Sequence, residues 1–375
     1  MARWSESPTT FREARYSESE SLARRPTSQN HVNRSRAVRL NPCRECVASR
    51  IREHRIMKIV IPGGTGQVGR VLSRAFRADG HEVVILSRNT ENGACRFVGW
   101  DGETLGKWTQ ELEGASVVIN LAGRSVNCRY TARNRRLIRD SRIRSVRAVG
   151  EAIARCERPP RVWLQAGTAT IYAHRYDASN DEATGILGGT EPYAPDTWRF
   201  SIDVAGAWER AVDEFVLPQT RKVVMRSAMT MSPDQGGVFD VLLGLVRFGL
   251  GGRHGDGRQF MSWIHESDFV RAVYWLIEHE DIAGPVNLAA PNPIPDAEFM
   301  KTLRTACRIR MGLPAPEWLL EIGTFFMRSE SELVLKSRRV VPGRLLQSGF
   351  TFEFPAWQEA AADLCRRCRE TRRAT

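Results

Sequence analysis

Short apolar runs alternate along the chain with longer stretches in which apolar residues recur every three or four positions. Met57-Lys58-Ile59-Val60-Ile61, Glu82–Leu86, Arg96–Trp100, Ser116–Asn120, Arg161–Gln165 and Lys222–Arg226 are the compact runs, each of strand length. Helical spacing follows the first run, at Val71, Leu72, Ala75 and Phe76, and returns over residues 131–156 and 199–216. Strands alternating with helices predict the α/β class, a doubly wound parallel sheet covered by helices on both faces. In such a sheet ligands bind where the strands end. Here those ends carry Gly63–Gly69, Arg88, Asp101, Asn120–Gly123 and Thr168.

The first strand runs into Gly63-Gly64-Thr65-Gly66-Gln67-Val68-Gly69. Glycines spaced by three between a strand and a helix form a phosphate-binding turn. One glycine makes the tight turn, one admits a pyrophosphate against the backbone, and one lets helix and strand pack closely. The helix N-terminus adds free N–H groups and a positive dipole. The second strand ends in Leu86-Ser87-Arg88-Asn89, with no acid to hold ribose hydroxyls. A guanidinium at that place matches a 2′-phosphate. NADP(H) is therefore the expected cofactor, with NAD(H) as the alternative. Cofactor contacts are assigned to Gly63, Gly64, Thr65, Gly66, Gln67, Val68, Gly69, Arg88, Asp101, Asn120, Leu121, Ala122 and Gly123.

Charge changes the picture less than its total implies. The formal net charge of the 375 residues is +12. Residues 1–56 hold twelve Arg and six Glu, and 366–375 hold five Arg and one Glu, so the stretch between is nearly balanced. Both ends lack apolar periodicity and read as disordered basic segments. The first has too many acids for a transit peptide and no apolar stretch for a secretory signal. Met57, at the start of the first strand, looks like a natural beginning. No apolar run approaches the ~20 residues of a membrane span. The core lacks the aromatic–basic interleaving of single-strand binders. Neither nucleic acid nor membrane is expected as a partner, only a small-molecule substrate, and nothing in the sequence fixes the oligomeric state.

Of the eight cysteines, Cys43/Cys46 and Cys365/Cys368 form C-x-x-C pairs, while Cys95, Cys128, Cys156 and Cys307 are scattered. A shared zinc site would require the two basic ends to meet, so no metal is expected. With no secretory signal, the thiols should be reduced and the location cytoplasmic.

These motifs together resemble the extended, atypical branch of the short-chain dehydrogenase/reductase superfamily, the epimerase/dehydratase-like proteins often labelled nucleoside-diphosphate-sugar epimerases or cell-division inhibitors. The glycine turn resembles that branch's G-G-T-G-F-I-G. Val118–Gly123 is similar to its V-I-N-L-A-G, and Ile138–Ile143 to its I-R-x-S-R-I helix. Leu250–His265 and Gly284–Pro291 resemble two further segments, and the stretch from about 315 to 364 its small C-terminal domain of unknown function. The resemblance covers roughly 57–365. It implies a Rossmann NAD(P) domain over 57–300, with substrate-region segments from about 227, and a small helical C-terminal domain over 301–365. Arg258 and Trp263 fall on a segment that in the family nears the substrate.

Family members of known chemistry use a Ser or Thr hydroxyl and a Y-x-x-x-K pair, in which the Lys ammonium lowers the Tyr pKa. By that match Thr168 takes the hydroxyl role and Tyr172 falls on a tyrosine near the substrate. The Lys is missing, because Lys58, Lys107, Lys222, Lys301 and Lys336 are the only lysines. The matching helix reads Ser201-Ile202-Asp203-Val204-Ala205, and Tyr193 lies just upstream. Catalytic candidates are thus Thr168, Tyr172 and Tyr193, the tyrosines with help from an arginine; hydride chemistry that needs no tyrosine base stands as the alternative. His265, before Glu266-Ser267-Asp268, is expected to make a structural hydrogen bond at a helix start. Two functions stand at this point. One is an NADP(H)-dependent oxidoreductase or epimerase-like enzyme acting on a small carbonyl, hydroxyl or nucleotide-sugar substrate. The other is a non-catalytic NADP(H)-binding redox-responsive regulator.

Overall fold

Each predicted strand forms in the computed structural model, within a residue or so at each end except that the strand predicted at Arg161–Gln165 runs three residues further, to Thr168; the structure describes residues 56–89, 94–192, 194–315 and 335–374. Residues 1–55, with Cys43 and Cys46, and the candidate Tyr193 lie outside the described residues. The strands are β1 (Lys58–Pro62), β2 (Glu82–Ser87), β3 (Arg96–Gly99), β4 (Val117–Asn120), β5 (Val162–Thr168), β6 (Arg221–Ser227) and, later in the chain, β10 (Gly284–Leu288). They make one parallel sheet in the order β3-β2-β1-β4-β5-β6-β10. The chain thus winds outward in both directions from β1, leaving a switch between β1 and β4 where a ligand crevice opens.

The alternation inside each strand sorts its side chains to two cores. Ile59, Ile61, Val83, Ile85, Val117 and Ile119 face one side, against Leu72 and Phe76 of α1 (Gln67–Ala78) and Phe269, Val273 and Leu276 of α5 (Glu266–Glu278). Val60, Val84, Leu86, Val118 and Trp163 face the other, against Val146 and Val149 of α2 (Ala132–Ala154) and Trp208 and Val212 of α3 (Asp196–Asp213). Fully burying such a side chain contributes roughly 1.5–3 kcal/mol, which is why these runs are apolar on both faces.

A third core joins α4 (Val238–Arg247), α6 (Asp296–Cys307) and α8 (Trp357–Ala374) around Phe239, Trp263, Phe299 and Trp357. Two short pairings flank it, β7 (Met229–Met231) parallel to β9 (Trp263–His265), and β8 (Phe260–Met261) antiparallel to β11 (Ile294–Pro295). Two expectations change here. The boundary placed at 300/301 falls inside α6, and residues 55–375 form one unit. Val340 bridges Asn180, and the turn of helix α7 (Gly343–Gln347) carries Leu345 into the first core. The tail from 366, expected to be disordered, continues α8 to Ala374. Leu364, Cys365 and Cys368 give that helix a buried edge, and Arg366 is held by Glu370 at 2.9 Å and by Asp363. A charge-rich segment with one apolar stripe gains enough burial to order once it has a neighbour to pack on.

Candidate functional site

The glycine turn is shaped by contacts that only glycine permits. Gly63 has φ 75°, and a Cβ there would lie 2.6 Å from the Ala122 Cα. Its N–H donates to the Leu86 carbonyl at 2.9 Å, and the Leu121 N–H to that of Pro62 at 2.8 Å, so the turn is clamped between the ends of β2 and β4. A Cβ on Gly69 would lie 2.3 Å from the Gly64 oxygen, so α1 starts flush against the turn. Gly66 is different. It is the N-cap of α1 and brings no capping side chain, and a Cβ there would meet nothing within 4 Å. No acid stands in the first turn of α1. The helix start therefore presents N–H groups and dipole to open space. Thr65 is half-buried and its carbonyl accepts from Arg70 at 3.1 Å. Gln67 turns to the Thr230 carbonyl at 3.4 Å, and Val68 packs on the first core.

The end of β4 carries Asn120 inward. Its Nδ2 donates to Gln165 Oε1 at 2.9 Å and its Oδ1 accepts from the Ala122 N–H at 3.1 Å. Fully buried, Asn120 sets the path of Leu121 and Ala122 and does not itself face the crevice. Gly123 is exposed, with the Arg142 side chain over it. Arg142 donates from Nη1 to the carbonyls of Arg124 at 3.0 Å and Ile138 at 2.9 Å, and its guanidinium lies 4.9 Å from the Trp208 ring centre. Among the described residues it makes no ion pair. Burial pulls its pKa down to about 10.

Past β2 and β3 lies a hollow of about 370 Å³ lined by Arg88, Gly99, Trp100, Asp101, Thr104, Leu105, Gly106, Lys107 and Trp108. Its floor is made by Trp100 and Trp108, with ring centres 5.0 Å apart and both indole N–H groups donating to the Thr104 carbonyl. Asp101 lines it, but its carboxylate accepts from the N–H groups of Glu103 and Thr104 and from the Thr104 hydroxyl. It serves its own loop, and those bonds hold its pKa down against a desolvation that would raise it. Arg88 and Lys107 are exposed cations on the same hollow. Lys107 heads a short 3-10 turn in which sequence patterns carry no sign of ligand contact.

On the other side of β4, Thr168 ends β5 beside Ser227 at the end of β6. Its hydroxyl oxygen accepts from the Thr170 N–H at 3.2 Å. Tyr172 sits differently from the role expected of it. It is 2 % exposed, its hydroxyl donates to Asn287 Oδ1 at 3.0 Å and accepts from Arg226 Nη1 at 2.9 Å. Arg226 in turn makes two bonds, 2.8 and 2.7 Å, to Glu209 of α3. Burial raises the Tyr172 pKa, against the pull of Arg226. Burial alone would lower the Arg226 guanidinium, but Glu209 more than offsets it. Tyr172 is thus a buried tie between β5, β6, β10 and α3, with no proton to offer a ligand. Trp263 is also displaced from its expected role. It is fully buried, 5.0 Å from the Trp357 ring. Arg258 does stand at the surface, its guanidinium 5.6 Å from the Tyr176 ring centre. Its turn is pinned by buried His254, whose Nδ1 lies 2.8 Å from Asp296 Oδ1 while its N–H donates to Oδ2 at 2.7 Å. His265 caps α5 through Nδ1, which accepts from the Ser267 N–H at 3.1 Å, as expected.

Sequence comparison places this geometry. The profile of the "NAD dependent epimerase/dehydratase family" matches residues 59–200, and a "Domain of unknown function (DUF1731)" matches 315–364. The chain is 31 % identical to "Epimerase family protein YfhF" of Bacillus subtilis (strain 168) over 311 residues, 82 % of this chain and 98 % of that protein. The chain belongs to the epimerase family. "Epimerase family protein SH2119" of Staphylococcus haemolyticus (strain JCSC1435) is another relative, 31 % identical over 82 % of this chain and 98 % of its own length. Among solved structures, the human epimerase family protein SDR39U1 with NADPH aligns at a TM-score of 0.72 with 27 % identity, covering 82 % of this chain and 99 % of that one. The nucleoside-diphosphate sugar epimerase from Corynebacterium glutamicum aligns at 0.62 with 26 % identity, over 83 % and 58 % of the two chains.

The epimerase-family chain has a cradle that fits a dinucleotide. An uncapped helix start faces open space at Gly66, and a hollow with two cations lies past β2. Among the described residues no group of His, Cys, Asp or Glu could hold a metal ion, and no helix is long and apolar enough to cross a membrane. Sequence reasoning missed Lys107 and Arg142. Arg142 stood in the Ile138–Ile143 stretch, inside the helix that forms α2, and that membership was the only hint.

Proposed function

We propose that this epimerase-family protein is an NADP(H)-dependent oxidoreductase, acting in the cytoplasm on a small carbonyl, hydroxyl or nucleotide-sugar substrate without a Tyr–Lys pair. The observation that carries the cofactor choice is the hollow past β2, lined by both Arg88 and Lys107, where the one carboxylate among the described lining residues, Asp101, is taken up by its own loop. The NADPH in the human relative supports the same choice. When bound, NADP(H) supplies or accepts a hydride at its nicotinamide. This chain's residues then do the following. The N–H groups at the start of α1 receive the diphosphate, and Gly66 lets it approach. Arg88 and Lys107 pair with the 2′-phosphate. Thr168 keeps its hydroxyl proton for a substrate oxygen. Arg142, beside Gly123 at the edge of the β4 turn, adds positive charge there, and Arg258 stands ready for an anionic group on the substrate.

Removing one charged donor from a phosphate costs about 1.5–3 kcal/mol, a factor of roughly 10–100. Arg88→Ala and Lys107→Ala should each weaken NADPH binding by that factor and leave NADH unchanged, measured by fluorescence titration. An unchanged NADPH/NADH ratio in both variants would remove the basis of the cofactor choice.

A second reading, the non-catalytic NADP(H)-responsive regulator, rests on the Tyr172 network. That network takes the one described tyrosine of the expected pair out of reach of a ligand. Sustained NADPH oxidation with a panel of aldehydes, ketones and nucleotide sugars excludes the regulator. Tight NADPH binding with silence across the panel favours it. Neither nucleic acid nor membrane enters either reading.

A further inference from the structure

The C-terminal C-x-x-C stretch has no part in the crevice. In the sequence Cys307 lies 58 residues before Cys365, yet their sulfurs are 3.2 Å apart. Cys307 is the last residue of α6 and half-buried; Cys365 lies about two turns into α8, on its packed face, and is 3 % exposed. The end of α6 is fixed in place. Arg308, φ 61°, closes the helix directly after Cys307, with its N–H on the carbonyls of Arg304 and Thr305. On the other side, the α8 backbone is anchored by Trp357, whose ring stacks on Phe299 at 4.0 Å and whose indole N–H donates to the Phe299 carbonyl. The two sulfurs therefore face each other on rigid supports, and a disulfide needs an approach to about 2.05 Å, a shift that small side-chain rotations supply. Cys368, one turn on, is turned away, its sulfur 3.7 Å from the Pro233 carbonyl oxygen.

We propose that Cys307 and Cys365 are a thiol–disulfide modification site that takes a small-molecule disulfide of the oxidised-glutathione type. The two cysteines have different roles. Cys307, the more accessible, lies near Arg247 and Arg369, and its thiol is drawn down by its Cys365 partner and, against burial, by those cations. It is the attacking sulfur. Its thiolate displaces one glutathione from the small disulfide, forming a mixed disulfide. Cys365, held behind it, then attacks the Cys307 sulfur and displaces the second glutathione. Two protein thiols and one disulfide become one protein disulfide and two small thiols, with both protons carried off by the leaving thiols. In a reducing compartment the pair stays open and closes when the glutathione poise rises. The bond ties α8 to α6, whose first residue, Asp296, holds the His254–Arg258 turn.

The test uses the full chain, incubated with oxidised glutathione, quenched by acid and alkylated. The expected result is a mass loss of about 2 Da and a cross-linked peptide pair containing Cys307 and Cys365, both reversed by dithiothreitol. Cys307→Ser and Cys365→Ser should each abolish the cross-link, and Cys368→Ser should leave it. Because the primary reading is on the unmodified protein, a variant that folds poorly does not decide the matter. A stable glutathione adduct on Cys307 with no cross-link, a cross-link through Cys368 instead, or two free thiols after prolonged exposure would each overturn the proposal. None of these outcomes bears on NADP(H) binding.

Discussion

Tyr172→Phe separates a structural tyrosine from a catalytic one. The substitution keeps the ring, which packs among Ala169, Ile171 and Val340, and removes one oxygen that makes two buried hydrogen bonds. Asn287 Oδ1 loses its donor, although its Nδ2 still donates to the Val341 carbonyl at 3.0 Å. Arg226 loses the acceptor of Nη1 but keeps both bonds to Glu209, so its charge stays paired. A neutral bond is worth about 1 kcal/mol, and one from a charged donor about 1.5–3 kcal/mol. The expected cost is therefore about 2–4 kcal/mol, short of the larger loss that follows when a buried charge is stranded. Urea unfolding at pH 7 measures it as a lower midpoint at constant slope. NADPH affinity should stay within about twofold, because no cofactor-cradle residue touches the phenol. Where turnover is found, it should survive in proportion to folded protein. A stability change below about 0.5 kcal/mol, paired with a 100-fold or greater loss of turnover, would refute this reasoning and return Tyr172 to the role of acid.

Three further outcomes follow from the same geometry. Gly69→Ala places a Cβ 2.3 Å from the Gly64 oxygen, so the turn must shift; NADPH affinity should fall at least about tenfold and stability by about 1–3 kcal/mol, read by titration and thermal melts. Arg308 is the one non-glycine residue with positive φ among the described residues, so Arg308→Gly should raise stability by about 0.5–1 kcal/mol in urea, and a loss would contradict the strain argument. Burial holds the His265 pKa down to about 4, against the opposing pull of Asp363. The unfolded chain therefore takes up that proton near pH 6.5 while the fold refuses it until about 4. Stability is complete above pH 6.5, falls by about 3 kcal/mol as pH drops to 4, and is level in this group below that. His265→Asn keeps an N-cap oxygen and removes the titration, so its unfolding midpoints should lose that part of the acid slope.

What the sequence reveals depends on how far apart the deciding residues lie. A strand buried on both faces carries an unbroken apolar run, so β1, β2 and β4 are legible from three or four letters. The glycine turn is legible for a related reason. The constraints at Gly63 and Gly69 act on the backbone of neighbouring residues and leave glycine as their trace. Tyr172 is different, because its hydroxyl is claimed by Arg226, 54 residues on, and by Asn287, 115 residues on. Nothing near Tyr172 announces either. Trp263 is buried by Trp357, in a helix whose charged half looks unstructured when read alone. Cys307 and Cys365 belong to the same class, unremarkable until α6 and α8 pack.

The loss of the Tyr–Lys pair and the buried Tyr172 network are connected. An ammonium on α3 at position 205 would stand four residues, about one helical turn, from Glu209, which already binds Arg226 through both oxygens. With Ala205 buried instead, Glu209 binds Arg226 through both oxygens, and Arg226 keeps Nη1 for the phenol. A Lys restored at 205 would compete for that carboxylate and loosen the tie that holds β6 to α3. Ala205→Lys alone should therefore destabilise the fold without creating turnover. Ala205→Lys with Ser201→Tyr should rebuild the Y-x-x-x-K spacing on the same helix face. Stopped-flow absorbance at 340 nm over the substrate panel would show whether NADPH oxidation rises above that of the parent. A rise in the double variant and not in either single one would mean that this crevice kept its capacity for the ordinary family chemistry and lost only the two side chains that performed it.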